Sequence, residues 1–388
     1  MPLPATERIL LGPGPSLIAP RVMRAMAAPV LSHLDPEFVP LLDDVRASLQ
    51  RVFRADSKAL TIATSGTGTS GMEAAVGNVV SDGMRAVVIV TGYFGDRLAQ
   101  IVERYGARVR RIEVEWGRAV DPQRLRDELS REGADVVGFV HAETSTGVRN
   151  PARELAAVAR EKGALTIVDM VTSLGGHEVD LAGWGVDVAY SCTQKCIGAP
   201  SGLAPLAISG AARERLVKCR SFYLDVKLLE DYWVGRKYHH TISTTLIYAL
   251  REALLMVEEE GLPARQARHE RNHHALVAGV DAMGLSLLPP EGERLWTLNA
   301  VRVPAGLDEA AVRKTLLTDY NIEVGAGLGP LAGKIWRVGL MGASSTPQTL
   351  LQFLAALEGA LGSLGHRLPE GAGVAAASAA LRPAMAGA

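Results

Sequence analysis

The sequence predicts an α/β protein: a mostly parallel, doubly wound sheet in a large domain, followed by a smaller C-terminal α+β domain. Three observations carry this expectation. Short β-branched apolar runs alternate with helical apolar spacing from Leu60 to Ile208, the pattern of a parallel sheet wound by crossover helices. Single charged side chains, Asp169 and Lys195, follow two of those runs, and ligands of such sheets bind beyond the carboxyl ends of the strands. At 388 residues the chain also exceeds one comfortable core, so a second domain is expected.

In chain order, residues 1–20 read as an N-terminal arm, because Leu11-Gly12-Pro13-Gly14-Pro15-Ser16 is too rich in Pro and Gly for a helix or central strand. The large domain is expected over 21–260. Helical spacing covers Pro20–Ala28 and Pro36–Phe53, the latter with Leu41, Leu42, Val45, Leu49 and Val52 on one face. Strands are expected at Leu60–Thr64, Ala86–Val90, Val109–Val114, Asp135–Val140 and Ala164–Asp169, and in the runs Trp184–Tyr190 and Leu203–Ile208. Between them come a helix through Met72–Val76 and helices over Pro122–Ser130 and Pro151–Lys162. Tyr223, Tyr232, Trp233 and Tyr238-His239-His240-Thr241 then break the alternation, and aromatics and histidines at this density mark an interface. A helix over Leu246–Glu260 leads past Gly261 to another over Pro263–Ala282. The latter opens a small domain, 261–365, with strands at Leu295–Val303 and Ile335–Leu340 and a helix over Asp308–Asp319. Residues 366–388 form an Ala/Gly-rich tail without evident chemistry.

Lys195 is the sole charge between Val188 and Ser209. Such an amine points into a site, where desolvation makes its neutral, nucleophilic form accessible, unless it snorkels from a loop. Asp169 is either a helix cap or turn residue or a ligand group at a strand end. Together they form the pair that pyridoxal phosphate chemistry needs: a Schiff-base lysine, and a carboxylate that keeps the pyridine nitrogen protonated. Ser65-Gly66-Thr67-Gly68-Thr69-Ser70-Gly71 at a helix mouth is suited to phosphate. The same letters fit a dinucleotide motif, but the next strand ends in Tyr93-Phe94 where that motif needs an acid. Phe94 either stacks on a planar ring or packs in the core. His141-x-Glu143 lacks the Pro-Cys-x-x-Cys partner of a zinc deaminase, and His239-His240 completes no metal spacing, so no metal is expected. Arg337, a lone guanidinium in an apolar strand, either takes a substrate carboxylate or pairs with Glu323.

The balance of 41 basic against 42 acidic residues leaves no field for nucleic acid or anionic lipid. The three cysteines, Cys192, Cys196 and Cys219, argue for a reducing compartment. With no apolar stretch long enough to span a bilayer and no leader-like start, a cytoplasmic protein is expected.

From Leu11 to Leu361 the chain resembles the class V pyridoxal-phosphate aminotransferases, of fold type I, in the alanine–glyoxylate and serine–glyoxylate branch. The motifs in order are Gly12-Pro13-Gly14-Pro15, Ser65-Gly66-Thr67-Gly68-Thr69, Phe94-Gly95, Glu143-Thr144-Ser145-Thr146-Gly147-Val148, Val168-Asp169, Thr193-Gln194-Lys195, Tyr238-His239-His240-Thr241 and Arg337-Val338-Gly339. The resemblance implies that Lys195 carries the cofactor and Asp169 contacts its ring nitrogen. It assigns the phosphate to Thr67, Gly68, Thr69 and Gln194, the stacking position to Phe94, and the neighbourhood of the ring hydroxyl to Thr144. Arg337 and Gly14 would bind substrate, and Tyr238 and Thr241 would reach the other subunit's cofactor in a homodimer. The implied reaction moves the amino group of alanine or serine to glyoxylate, giving glycine and a 2-keto acid.

Two departures stand out. Phe94 replaces the tryptophan or histidine common at the stacking position. Cys192 and Cys196 replace small residues beside the lysine, and a cysteine after the lysine, as at Cys196, occurs in relatives that use pyridoxamine itself as donor, yet the phosphate loop is one a free-pyridoxamine enzyme has no need of. A pyridoxamine–pyruvate aminotransferase is therefore the nearest alternative. A lyase of the desulfurase type would need a cysteine after Cys219, and none follows. A non-catalytic subunit would need none of Lys195, Asp169 and Arg337.

Overall fold

Seven strands form the central sheet of the computed structural model, which describes residues 6–382. The outermost parts of the expected arm and tail, 1–5 and 383–388, lie outside the described residues. In chain order the strands are β1 (Leu60–Gly66), β2 (Arg85–Val90), β3 (Arg108–Glu113), β4 (Val136–Val140), β5 (Leu165–Asp169), β6 (Val188–Tyr190) and β7 (Gly202–Ile208). Their spatial order is β1-β7-β6-β5-β4-β2-β3. β7 runs antiparallel to both its neighbours, and the other pairings are parallel. Every residue of β4, β5 and β6 is buried, as the apolar, β-branched composition of strands covered on both faces requires.

Ahead of the sheet lie α1 (Pro20–Met26) and α2 (Val39–Phe53); α3 (Gly68–Val79), α4 (Tyr93–Arg104), α5 (Pro122–Arg131) and α6 (Ala152–Glu161) connect its strands. α2 starts later than the spacing from Pro36 suggests, because Asp35 closes a local turn, accepting from the Glu37 N–H at 2.8 Å. Trp184 ends a short helix, Leu181–Trp184, which Asp180 caps and Gly185 stops at φ 69°; β6 begins only at Val188.

The C-terminal part begins after α7 (Thr244–Glu260) with α8 (Leu262–Ala282). It adds β8 (Leu298–Arg302), α9 (Glu309–Asp319), β9 (Gly325–Ala326), β10 (Ile335–Gly339) and α10 (Pro347–Ser363). The strands form an antiparallel sheet in the order β8-β10-β9, with its own apolar core around Trp336, Val338 and Phe353. The Ala/Gly-rich segment holds a further helix, α11 (Ala372–Leu381), whose Ala377 is buried in that core. Alanine is the strongest helix former, and small residues let α11 lie against α8, where Gly373 O would be 2.9 Å from a Cβ on Gly279.

The arm stitches the two parts together. Ile9–Leu10 pairs in parallel with Ile322–Glu323, Leu11 enters the small core, and Leu11 O accepts from Gly339 N at 2.7 Å. Further along, Ser16 donates from its N–H to Gln194 O at 2.9 Å and from its hydroxyl to Lys195 O at 2.8 Å. No helix among the described residues is long and apolar enough to cross a membrane.

Candidate active site

Register levels the carboxyl ends of three strands: Val140 pairs with Asp169, and Asp169 with Tyr190. Beyond that edge opens a cleft of about 280 Å³. Ten of the twelve residues expected at a site line it: Gly14, Thr67, Gly68, Thr69, Phe94, Thr144, Asp169, Gln194, Lys195 and Arg337.

Lys195 sits in the turn between β6 and β7. Thr193 pins this turn, its hydroxyl 2.5 Å from Pro200 O, and from behind Arg265 donates to Cys196 O at 2.6 Å and to Gly175 O at 3.1 Å. The amine is buried, pairs with no carboxylate among the described residues, and donates to Pro13 O. Burial pushes its pKa below the usual lysine value. Thiolates at Cys192 and Cys196 would oppose that, but burial raises these thiols to about 12 and about 11, so both are neutral near pH 7 and the lowering stands. Gly14, at φ +111°, makes the room: a Cβ there would meet Lys195 Cδ and Cε at 2.7 Å.

Asp169 is also buried. Its Oδ1 accepts from Val171 N at 2.8 Å and its Oδ2 from the Tyr190 hydroxyl at 2.9 Å. Burial raises the carboxyl to about 7, against the pull of those two hydrogen bonds. Phe94 is set by Glu143, a buried carboxylate at the start of α4 that accepts from Gly95 N at 3.1 Å and Phe94 N at 3.4 Å. Ser145 holds the same carboxylate through its N–H at 3.1 Å and its hydroxyl at 2.6 Å. The Thr144 and Thr172 hydroxyls lie 2.5 Å apart.

At one end of the cleft, lined by Thr67, Gly68 and Thr69, α3 begins without a side-chain cap from Thr67, so its first N–H groups have no side-chain acceptor. A Cβ on Gly68 would crowd Val171 Cγ2 at 2.9 Å, and the buried Gln194 Oε1 has no hydrogen-bond partner. An open helix start and a glycine cradle suit a phosphate monoester, to which Gln194 can add only its amide N–H, its unpartnered Oε1 being an acceptor. Arg337, on β10 and 7 % exposed, donates to Ala326 O at 2.7 Å and Thr144 O at 3.4 Å. No ion pair links it to Glu323 or to any other carboxylate among the described residues, which removes the structural alternative for this residue. Burial lowers its pKa to about 10, opposed by the Glu143 charge, so it stays cationic near neutrality. A buried guanidinium without a carboxylate has open N–H groups that an anion can fill.

Tyr238 and Thr241 stand outside the cleft. Tyr238 is 65 % exposed, its ring 5.6 Å from that of His33, and Thr241 is exposed. Nearby, His240 Nε2 lies 2.9 Å from Ser65 Oγ, beside the glycine-rich turn.

Sequence reasoning gave no role to Tyr190, Glu143, Pro13 or Arg97. Tyr190 ends the apolar run before Lys195, which was a usable signal; the others depend on contacts between distant segments.

Comparison with known proteins places this geometry among relatives. The model of the family described as aminotransferase class-V matches residues 10–337. The (S)-ureidoglycine–glyoxylate transaminase of Bacillus subtilis is 37% identical over 91% of this chain and 90% of its own. The crystal structure of an alanine–glyoxylate aminotransferase from Nostoc sp. is 45% identical at TM-score 0.91, covering 93% of this chain and 97% of its own. That of a pyridoxamine–pyruvate aminotransferase from Mesorhizobium loti is 31% identical at TM-score 0.93, covering 98% and 99%.

The Asp169 carboxyl titrates near 3.8 in an unfolded chain and about 7 in the fold. Between those values the folded state binds the extra proton, so this group's contribution to stability falls as pH rises from about 4 to about 7. In cofactor-free protein, Asp169→Asn is therefore expected to shrink the loss of unfolding free energy between about pH 5 and about pH 8 by on the order of 2 kcal/mol. Urea denaturation at both pH values measures it; an unchanged difference contradicts the assignment.

Proposed function

The chain belongs to the aminotransferase class-V family, and on that premise we propose that this transaminase uses pyridoxal phosphate to move the amino group of alanine or serine to glyoxylate. The products are glycine and a 2-keto acid. The observation that carries the reading is the meeting, in one small cleft, of a buried amine with a lowered pKa, a buried carboxyl, and a buried guanidinium that no carboxylate among the described residues satisfies.

When bound, pyridoxal phosphate supplies an aldehyde that holds the amino group and a protonated ring that accepts electrons from the broken bond at Cα. Lys195 is the nucleophile toward that aldehyde, because its burial keeps the neutral amine accessible. With its amine free, Lys195 would be the base that takes the substrate's Cα proton and the acid that gives it back. Asp169 supplies the counter-charge for the ring nitrogen, and a cation beside it favours its ionised form. Thr67, Gly68, Thr69 and Gln194 hold the phosphate, Phe94 stacks on the ring, and Thr144 lies by its hydroxyl. Arg337 clamps the substrate carboxylate beside the Gly14 backbone, which orients Cα.

The pyridoxamine–pyruvate reading is less well supported. The solved structure bearing that name is 31% identical, against 45% for the alanine–glyoxylate enzyme, and the open start of α3 answers to a phosphate. The name of the Bacillus subtilis relative adds (S)-ureidoglycine to the donors worth assaying.

We further infer a homodimer in which Tyr238 and Thr241 reach the partner's cofactor. Support comes from the exposed aromatic side chains Phe222, Tyr223 and Tyr238, which lie against His33 and His239. A cytoplasmic setting fits the three cysteines, all free and buried.

Incubation with alanine or serine and glyoxylate should yield glycine and the matching 2-keto acid, and Lys195→Ala should lose activity by at least ~10³-fold. Arg337→Lys, which keeps charge but not the fork, should lower kcat/KM by about 10- to 100-fold, mainly through KM. No product from either donor, or full activity in Lys195→Ala, refutes the proposed reaction. Sedimentation equilibrium should give a dimer mass; a monomer contradicts the shared site.

A further inference from the structure

Among the described residues four acidic or basic side chains line the active-site cleft, and the proposed reaction employs Asp169, Lys195 and Arg337. The fourth is Arg97, one helical turn beyond Phe94 on α4. Its Nη1 donates to the Thr69 hydroxyl at 3.0 Å, on the first turn of α3. Its guanidinium carbon lies 5.1 Å from the centroids of both the Tyr93 and Phe94 rings, which hold the planar head in place. No carboxylate neutralises it among the described residues. The neighbouring Asp96 is engaged elsewhere, by Arg111 and by Gln100 at 2.6 Å.

Charge decides what such a group is for. Two guanidiniums, Arg97 and Arg337, share the cleft with the Lys195 amine and one acid, and even with that amine neutral the two guanidiniums suit more than one anion. Arg337 accounts for a carboxylate. A phosphate monoester carries about −1.5 to −2 charges near neutral pH, and a helix N-terminus offers only about +0.5. The hydroxyls of Thr67 and Thr69 and the Gln194 amide add no net charge. The start of α3 therefore leaves about one negative charge unmatched, and Arg97 is the cation within hydrogen-bonding distance of that turn.

We propose that Arg97 reads the phosphate of the cofactor, so that the cleft selects phosphorylated pyridoxal over its unphosphorylated form. The inference rests on the reading of this cleft as a pyridoxal phosphate site. It assigns the selection to a residue that no motif of the sequence singles out. The uncharged donors around α3 can hold either a phosphate or water, whereas a guanidinium fork gains most from a dianion.

Equilibrium dialysis of the cofactor-free full chain against pyridoxal phosphate and, separately, pyridoxal tests this without reference to turnover. Wild type should bind the phosphorylated form more tightly. Arg97→Gln should weaken that form roughly 10- to 100-fold while changing pyridoxal by less than about twofold. Arg97→Lys should fall between the two on the phosphorylated form alone, and carries the test if Arg97→Gln does not fold. Equal weakening of both ligands, or of neither, overturns the role of Arg97. A wild type that binds the two alike overturns the cofactor reading of the cleft and this inference with it.

Discussion

The constraint on which the rest of this molecule depends is the burial of one amine. Taking a lysine head group out of water without a carboxylate costs several kcal/mol for the charged form, so Lys195 is biased toward the neutral form that can attack a carbonyl. Its surroundings maintain that bias. Neighbouring thiols are themselves held protonated by burial, the hydrogen-bond acceptor is an uncharged carbonyl at Pro13, and the residue facing the side chain is a glycine. A carboxylate at any of these places would raise the pKa and silence the amine.

The sheet explains how so exacting a position is reached. A run of parallel strands brings Asp169 and Tyr190 to one edge, and the single antiparallel strand, β7, turns the chain back so that the Lys195 loop closes over that edge. The loop is held from three directions: by Ser16 of the arm, by Thr193 within it, and by Arg265 of α8. Arg265 also grips Gly175 in the segment after Asp169, so one side chain from the C-terminal part fixes the relation between two key loops. The arm performs a similar service, since it pairs with Ile322–Glu323 and then delivers the Pro13 carbonyl. The elements carrying the amine, the carboxyl and the guanidinium are thereby joined into one unit.

Much of this was legible because the informative residues are anomalies in their local surroundings. Lys195 and Asp169 are single charges bordering apolar runs, Arg337 is a lone guanidinium in a strand, and glycines gather where α3 begins. What stayed hidden is non-local. Nothing near Asp169 in the sequence announces that Tyr190 will donate to it from the next strand. Nothing near Arg97 reveals that Arg111 takes Asp96 and leaves Arg97 without a carboxylate. Composition was silent on structure in the tail, where Ala and Gly permit α11 to pack closely on α8. The end of a helix at Trp184 was hidden for another reason: Asp180 and Gly185 are short-range signals, but the apolar run beyond them masked the break.

The most direct test of the central claim is chemical trapping of the reactive amine. The protein would be incubated with pyridoxal phosphate, reduced with borohydride, digested, and the modified residue located by mass spectrometry. One equivalent fixed on Lys195, with the other lysines unmodified, is the result this account predicts. A label spread over exposed lysines such as Lys237, with Lys195 left free, would contradict it, because the buried amine would then be a packed structural group and not the reactive centre of the cleft.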